Sequence, residues 1–151
     1  MHKHDLVSSS LQGIVRIVAT NEQGEKKLLH QSNLVVNSTY AQLAYLLSGD
    51  LTNREISKLA FGTGAIAAAV TDTTITHLSP QVWLALTVSY PTITQVSFLG
   101  TWESSVTKTD DITEIGLFFA NNTLAARTVF QAMRKSAGWT WTILWNLSYT
   151  V

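Results

Sequence analysis

Between Trp139 and Val151 the chain alternates. Trp139, Trp141, Ile143, Trp145, Leu147, Tyr149 and Val151 fall on one parity, and Thr140, Thr142, Leu144, Asn146, Ser148 and Thr150 on the other. Large apolar side chains hold one set and, Leu144 apart, small polar ones hold the other. Successive side chains of a strand point to opposite faces, so the pattern predicts a terminal strand with three Trp and a Tyr on one face. At about 3.3 Å per residue it would span about 40 Å, which requires a whole sheet beside it and another layer on top.

The rest of the chain reads as that cover. Gly13 to Thr20 predicts a strand rich in β-branched residues. Asn21-Glu22-Gln23-Gly24-Glu25-Lys26 predicts a hairpin loop, and Lys27 to Val36 the returning strand. The period then lengthens. Asn37-Ser38-Thr39 offers helix-capping residues, Tyr40, Leu43, Ala44 and Leu47 follow at three- and four-residue spacing, and Gly49 stands where a C′ glycine belongs. This predicts a helix of about three turns over 39–48, its apolar stripe lying across the sandwich mouth or on one sheet.

Ser57 to Gly62 predicts a strand with Leu59 and Phe61 inward and Lys58 outward. Residues 65–80 predict a long loop of Ala, Thr and Asp72, of the kind that forms a contact surface. Val82 to Tyr90 and Thr94 to Glu103 predict a hairpin joined at Pro91-Thr92-Ile93. A polar loop runs from Ser104 to Asp111. Ile112 to Ala120 and Leu124 to Phe130 predict a second hairpin about the Asn121-Asn122 turn, and Arg134-Lys135-Ser136-Ala137-Gly138 the last turn. About eight strands, short turns and one helix predict a mainly β fold: an antiparallel two-sheet β-sandwich, jelly-roll-like, over residues 11–151, behind a flexible arm at 1–10.

Composition sharpens the picture at one point. Charged residues are 13 % of the 151, about half the usual share. Either Ser and Thr make up the surface, or much of that surface is buried in an assembly. Ten basic residues balance ten acidic ones with no basic run, which gives nucleic-acid binding no electrostatic support. The absence of cysteine excludes disulfides, thiol catalysis and Cys-based zinc sites. Met1-His2-Lys3-His4-Asp5 is polar with no apolar run after it, and the apolar stretches are too short to span a bilayer. The expectation is a protein made in a cytoplasm, not secreted by the general route and without a membrane partner.

Candidate chemistry is sparse. His2-x-His4 on an arm makes no closed metal site. Gly62-Thr63-Gly64 lacks the continuation of a phosphate loop and reads as a tight turn leaving its strand. Asp110 and Asp111 are adjacent in a polar loop, too close for a glycosidase pair, and with Glu114 lack the ligand spacing of a calcium site. His30 and His77 are isolated, so a catalytic triad has no support. No catalytic residue, metal ligand or cofactor is expected. Glu114 lies in a stretch otherwise headed for the core, and Arg127 shares the outward register of the neighbouring strand. They form either a cross-strand or cross-interface pair, or two weakly paired surface charges. The Trp residues of the last strand read as core, whereas Trp83 and Trp102 are the candidates for a surface aromatic.

Three segments in series carry a resemblance: Ile56-Ser57-Lys58-Leu59-Ala60-Phe61-Gly62-Thr63-Gly64, then Thr71-Asp72-Thr73, then Ile112-Thr113-Glu114-Ile115-Gly116-Leu117-Phe118 running on to Leu124-Ala125-Ala126-Arg127. In this order they resemble structural proteins of tailed bacteriophages and are similar to the tail-collar-fibre family, over roughly residues 34–147. The chain departs from that pattern at Thr73-Thr74-Ile75, where Leu commonly follows, and at Leu78-Ser79-Pro80-Gln81, where an acidic residue and an Arg are usual. The resemblance implies a non-enzymatic virion component, located in the virion, that forms a trimer or other homo-oligomer and bridges other virion proteins. It would be a part of the tail, baseplate or fibre base, or else a capsid decoration protein cementing the head. On this reading Glu114, Arg127, Asp72, Trp83 and Trp102 are the interface candidates. A carbohydrate-binding module is the second class, with a host-surface glycan as the possible partner through an exposed Trp.

Overall fold

The computed structural model describes residues 10–76, 83–108 and 110–150. The expected arm (apart from Ser10), its His2-x-His4 pair, His77 and the Leu78-Ser79-Pro80-Gln81 segment lie outside them. The elements are β1 (Ser10–Asn21), β2 (Lys26–Val35), α1 (Asn37–Leu47), β3 (Ile56–Gly62), β4 (Trp83–Ala85), β5 (Thr87–Thr92), β6 (Gln95–Trp102), β7 (Asp111–Phe119), β8 (Leu124–Arg134) and β9 (Trp139–Thr150). The fold is mainly β and antiparallel with one short helix, as the periodicity predicts. Where the pattern predicted two sheets, all nine strands pair in one order, β4-β3-β7-β8-β2-β1-β9-β6-β5, and the sheet is nearly closed into a barrel.

Two features bring the sheet round. The stretch expected to be one strand changes partner at Leu86: Trp83–Ala85 pairs with Lys58–Ala60 of β3, and Thr87–Ser89 with Ser97–Leu99 of β6. The ends of the strand order are therefore consecutive in the chain, and the Leu86 amide donates to Ser57 O (3.2 Å) at the switch. Gly100 of β6 faces this point. A Cβ there would stand 3.2 Å from Leu86 Cδ2 and 3.3 Å from Leu59 Cδ2, so a glycine lets both leucines close over β6. On the opposite side β2 meets β8 through only two residue pairs, Leu34 with Arg127 and Val35 with Ala126. Beyond them Gln31 Nε2 donates to Val129 O (2.6 Å), and Thr128 Oγ1 to Ser32 O (3.1 Å).

The terminal strand does what its alternation predicts. It pairs along its length with β1 and β6, and Trp141, Ile143, Trp145 and Leu147 are buried. Phe61 stacks on Trp102 (centroids 4.4 Å, 19° between planes), and Trp141 meets both rings edge-on at 5.6 and 5.5 Å. Trp102 is therefore no surface aromatic. It is 1 % exposed, because its parity with Val96 and Phe98 turns it inward. Trp145 Nε1 donates to Asn33 Oδ1 (3.0 Å), and the close approach of Asn33 leaves no room for a side chain at Gly13.

Helix α1 forms where predicted but presents a different face. Thr39 and Gln42 are its buried residues, while Tyr40 (46 %) and Leu47 (90 %) are exposed. Hydrogen bonds set this rotation. Ser38 Oγ donates to Leu124 O and Thr39 Oγ1 to Ala125 O, at 2.7 and 2.6 Å. Gln42 Oε1 accepts from Arg54 and Asn121. Ser38 and Thr39 thus tie the helix to β8, and the Val36 N-cap makes no side-chain bond. The C-terminus ends as expected, with Gly49 at φ +89° and the amides of Gly49 and Asp50 on the carbonyls of Leu46 and Tyr45, both at 3.1 Å.

Lys135 closes the barrel end opposite α1 and was read from sequence only as a turn residue. It is fully buried. Its ammonium donates to the carbonyls of Glu103, Val106 and Trp139 at 2.8, 2.7 and 2.6 Å, which matches the three donors of a lysine. Burial lowers its pKa, opposed by the Glu103 charge. Lys135→Met should leave these carbonyls without their donor and lower stability by about 2–5 kcal/mol in urea unfolding. Trp141→Ala should cost about 3–5 kcal/mol by opening a cavity under Phe61 and Trp102.

Candidate functional site: an arginine clamp under the loop after β3

Part of the outer face of β3, β7 and β8 is also covered. Ala60, Phe118 and Leu124 form a small core there with Val36 and Ile75, and Ile75 belongs to the loop that leaves β3. This is why β7 reads apolar on both parities. Glu114 lies on that outer face and is fully buried. An ionised carboxylate out of water needs every lone pair answered, and the loop and β8 answer it.

Glu114 Oε1 accepts from the amides of Gly64 (2.7 Å) and Thr76 (2.6 Å), near the two ends of the described part of the loop. Glu114 Oε2 accepts from Arg127 Nε at 2.8 Å. Arg127 stands opposite Gly116 and Glu114 opposite Val129, so the pair is a diagonal one across β7 and β8. The rest of the guanidinium holds the loop: NH1 meets Asp72 Oδ2 at 2.7 Å and NH2 donates to Ile66 O at 2.9 Å. Asp72 Oδ2 also accepts from the Ala69 amide (2.9 Å), and Thr113 Oγ1 donates to Gly64 O (2.7 Å). One arginine thus joins two carboxylates and a carbonyl through its fixed fork.

The electrostatics follow from these contacts. The Ala69 amide, and after it Arg127, holds the Asp72 carboxyl below its usual value against the opposing effect of burial. Burial disfavours the Arg127 charge, but the hydrogen bonds it donates to Asp72 and Glu114 outweigh this and raise the guanidinium pKa. Glycine is required at both turn positions. A Cβ on Gly62 would lie 1.8 Å from Thr76 O, and one on Gly64 would lie 2.5 Å from Glu114 Oε1. Gly62-Thr63-Gly64 is therefore a close backbone turn around a carboxylate, as its sequence context suggested.

Three of the five interface candidates, Glu114, Arg127 and Asp72, meet within this one chain, and the reading of Glu114 and Arg127 as weakly paired surface charges does not hold. Their side chains are 0 % and 7 % exposed. Trp83 is 36 % exposed, edge-on to Phe118 at 4.9 Å with Lys58 Nζ 4.8 Å from its ring, and Trp102 is in the core. The Asp110, Asp111 and Glu114 carboxyls do not converge. Asp110 is exposed, Asp111 pairs with Arg134 at 2.9 Å, and Glu114 turns to the clamp. His30 is exposed on β2. Compared with known proteins, the chain matches no family model, no curated protein and no solved structure.

Arg127→Met should destabilise the fold by about 3–5 kcal/mol, because it strands Glu114 in an apolar setting. Adding Glu114→Gln should recover part of that loss, read as non-additivity of the two midpoints. Asp72 has a lowered folded pKa, so its contribution is complete above the unfolded value of about 3.9 and fades as pH falls through the folded one. Asp72→Asn should flatten that acid limb of the stability curve and leave stability near neutral pH less affected than Arg127→Met does.

Proposed function

We propose that this chain is a non-enzymatic structural component of a tailed-phage particle, working as a homo-oligomer that joins other virion proteins as a tail, baseplate or fibre-base part. The observation that carries the reading is where its three family-like segments meet. Gly62-Thr63-Gly64 and Thr71-Asp72-Thr73 share one loop, the Glu114 to Arg127 stretch lies about 40 residues further on, and each supplies a member of the same clamp. The residues that carry the resemblance fix a loop on a sheet. Among the described residues, the buried charges are Glu114, Arg127 and Lys135, and each is engaged by partners within the chain. That supports a mechanical role for them.

The surface supports assembly. Strand β5 is an edge of the sheet order, all six of its residues are exposed, and none is charged. Val88 (40 %) and Tyr90 (78 %) on it, Ile93 (104 %) in the following turn and Tyr149 (47 %) on β9 add exposed apolar area at the same end. Unguarded edges and apolar patches of this kind mark association surfaces. Pro91 withholds one amide from any further ladder.

Light scattering on the purified chain should give a defined oligomer. Tyr90→Lys with Ile93→Glu should reduce it to monomer with the melting midpoint of the fold retained. The protein should also sediment with tail or baseplate substructures when particles are dissociated. A clean monomer that joins no larger particle contradicts the proposal.

A further inference from the structure

A wide cleft lies across the strands on the far side of β2 from the clamp. It has a volume of about 760 Å³ and is lined by residues of β1, β2, β6 and β9 with Asn37, Tyr40 and Val70 rising beside them. Not one of its lining residues is charged. The sheet register arranges the outward side chains in two rows. Ser32, Ile14, Asn146 and Ser97 stand side by side across four strands, and Gln12, Ser148 and Gln95 form the next row. Strands lie about 4.8 Å apart and rows about 7 Å apart, so the polar area is about 14 Å by 7 Å. The following row brings Arg16 and His30 and is no longer neutral.

We propose that this cleft binds a neutral oligosaccharide of two or more sugar units. A sugar presents hydroxyls that both donate and accept, and side-chain amides answer both with an NH2 group and a carbonyl. Gln12, Gln95 and Asn146 supply three such amides, with Ser148 and Ser32 between them. Ser97 Oγ donates to Asn146 Oδ1 (2.5 Å), which fixes the orientation of that amide and leaves its NH2 group to donate. Tyr40, 46 % exposed on the first turn of α1, offers a ring face for the apolar face of a pyranose, and Ile14, 45 % exposed, a second apolar contact. The volume falls in the range of about 300–1,000 Å³ usual for small-molecule sites. Without charges in the lining, an anionic ligand finds no counter-ion and a neutral one meets no ion that must be desolvated. This inference does not rest on the virion reading.

The test is a calorimetric and NMR titration of the full chain with glucose, galactose, mannose and N-acetylglucosamine oligomers of two to four units. Saturable binding is expected, with shifts in the side-chain amides of Gln12, Gln95 and Asn146 and with affinity unchanged between low and high salt. Gln12→Ala with Gln95→Ala, and separately Tyr40→Ala, should each weaken binding at least about tenfold at an unchanged melting midpoint. Trp83→Ala should leave it unaltered. The proposal is overturned if no oligosaccharide binds saturably, or if binding survives the cleft variants and is lost with Trp83→Ala. It is also overturned by a preference for acidic sugars that salt abolishes, or if the cleft amides respond only to protein concentration, which would assign this face to a second copy of the chain. The presence or absence of oligosaccharide binding does not bear on whether the chain joins a particle, so the two readings fail separately.

Discussion

A carboxylate with no access to water sits at the centre of this structure, and its neutralisation determines much of what surrounds it. Glu114 is fully buried on the outer face of β7. Left alone, that buried charge would cost many kcal/mol. Three donors in direct contact prevent this: Arg127 from β8 and the amides of Gly64 and Thr76, while Asp72 holds the far side of the same arginine. The described part of the loop after β3 is held by these bonds at Gly64, Asp72 and Thr76. Its shape comes from electrostatics, with Ile75 as its one buried apolar anchor among the described residues.

This constraint and the aromatic interior complement each other. Inside, Phe61, Trp102 and Trp141 pack ring against ring with the Lys135 ammonium 5.8 Å from the Trp102 ring, and the terminal strand binds β1 to β6. At one end Lys135 gathers three carbonyls into a cap; on the outer face Arg127 gathers two carboxylates and a carbonyl. Both cations act as cross-links between segments distant in sequence. Few charges remain on the described surface of the sheet, which leaves an uncharged edge at β5 and a neutral cleft across β1, β2, β6 and β9 as surfaces for contact. A chain that buries its strongest charges for shape and exposes amides, hydroxyls and a few aromatics is suited to binding by contact area and hydrogen bonds.

Much of this was legible in the sequence because periodicity records which face of an element is buried. The alternation of β9, the hairpin about Asn121-Asn122 and the glycine that ends α1 follow from local rules. Partners are another matter. Period two says that Leu84 and Val88 belong to extended chain, but not that the strand leaves β3 for β6 at Leu86, so a nearly closed single sheet looked like two. The face of α1 was misjudged because hydrogen bonds to the β8 carbonyls and from Arg54 bury Thr39 and Gln42, and hydrophobicity gives no sign of them. The cross-strand register of Glu114 and Arg127 was readable, as was Asp72 as a residue to watch. That all three join depended on where a loop of small residues lies. Lys135 carried no signal at all: nothing in a turn of Arg, Lys, Ser, Ala and Gly distinguishes a buried ammonium from a solvated one.

Native-state hydrogen exchange at the amides of Gly64 and Thr76 tests the central claim most directly. These amides lie in a loop outside every strand, where fast exchange would be the rule. If Glu114 holds them, they exchange only when β7 itself opens, as slowly as the amides of Ile115 and Leu117. Exchange at the rate of an unstructured chain, while Ile115 and Leu117 stay protected, would mean that the carboxylate does not hold the loop.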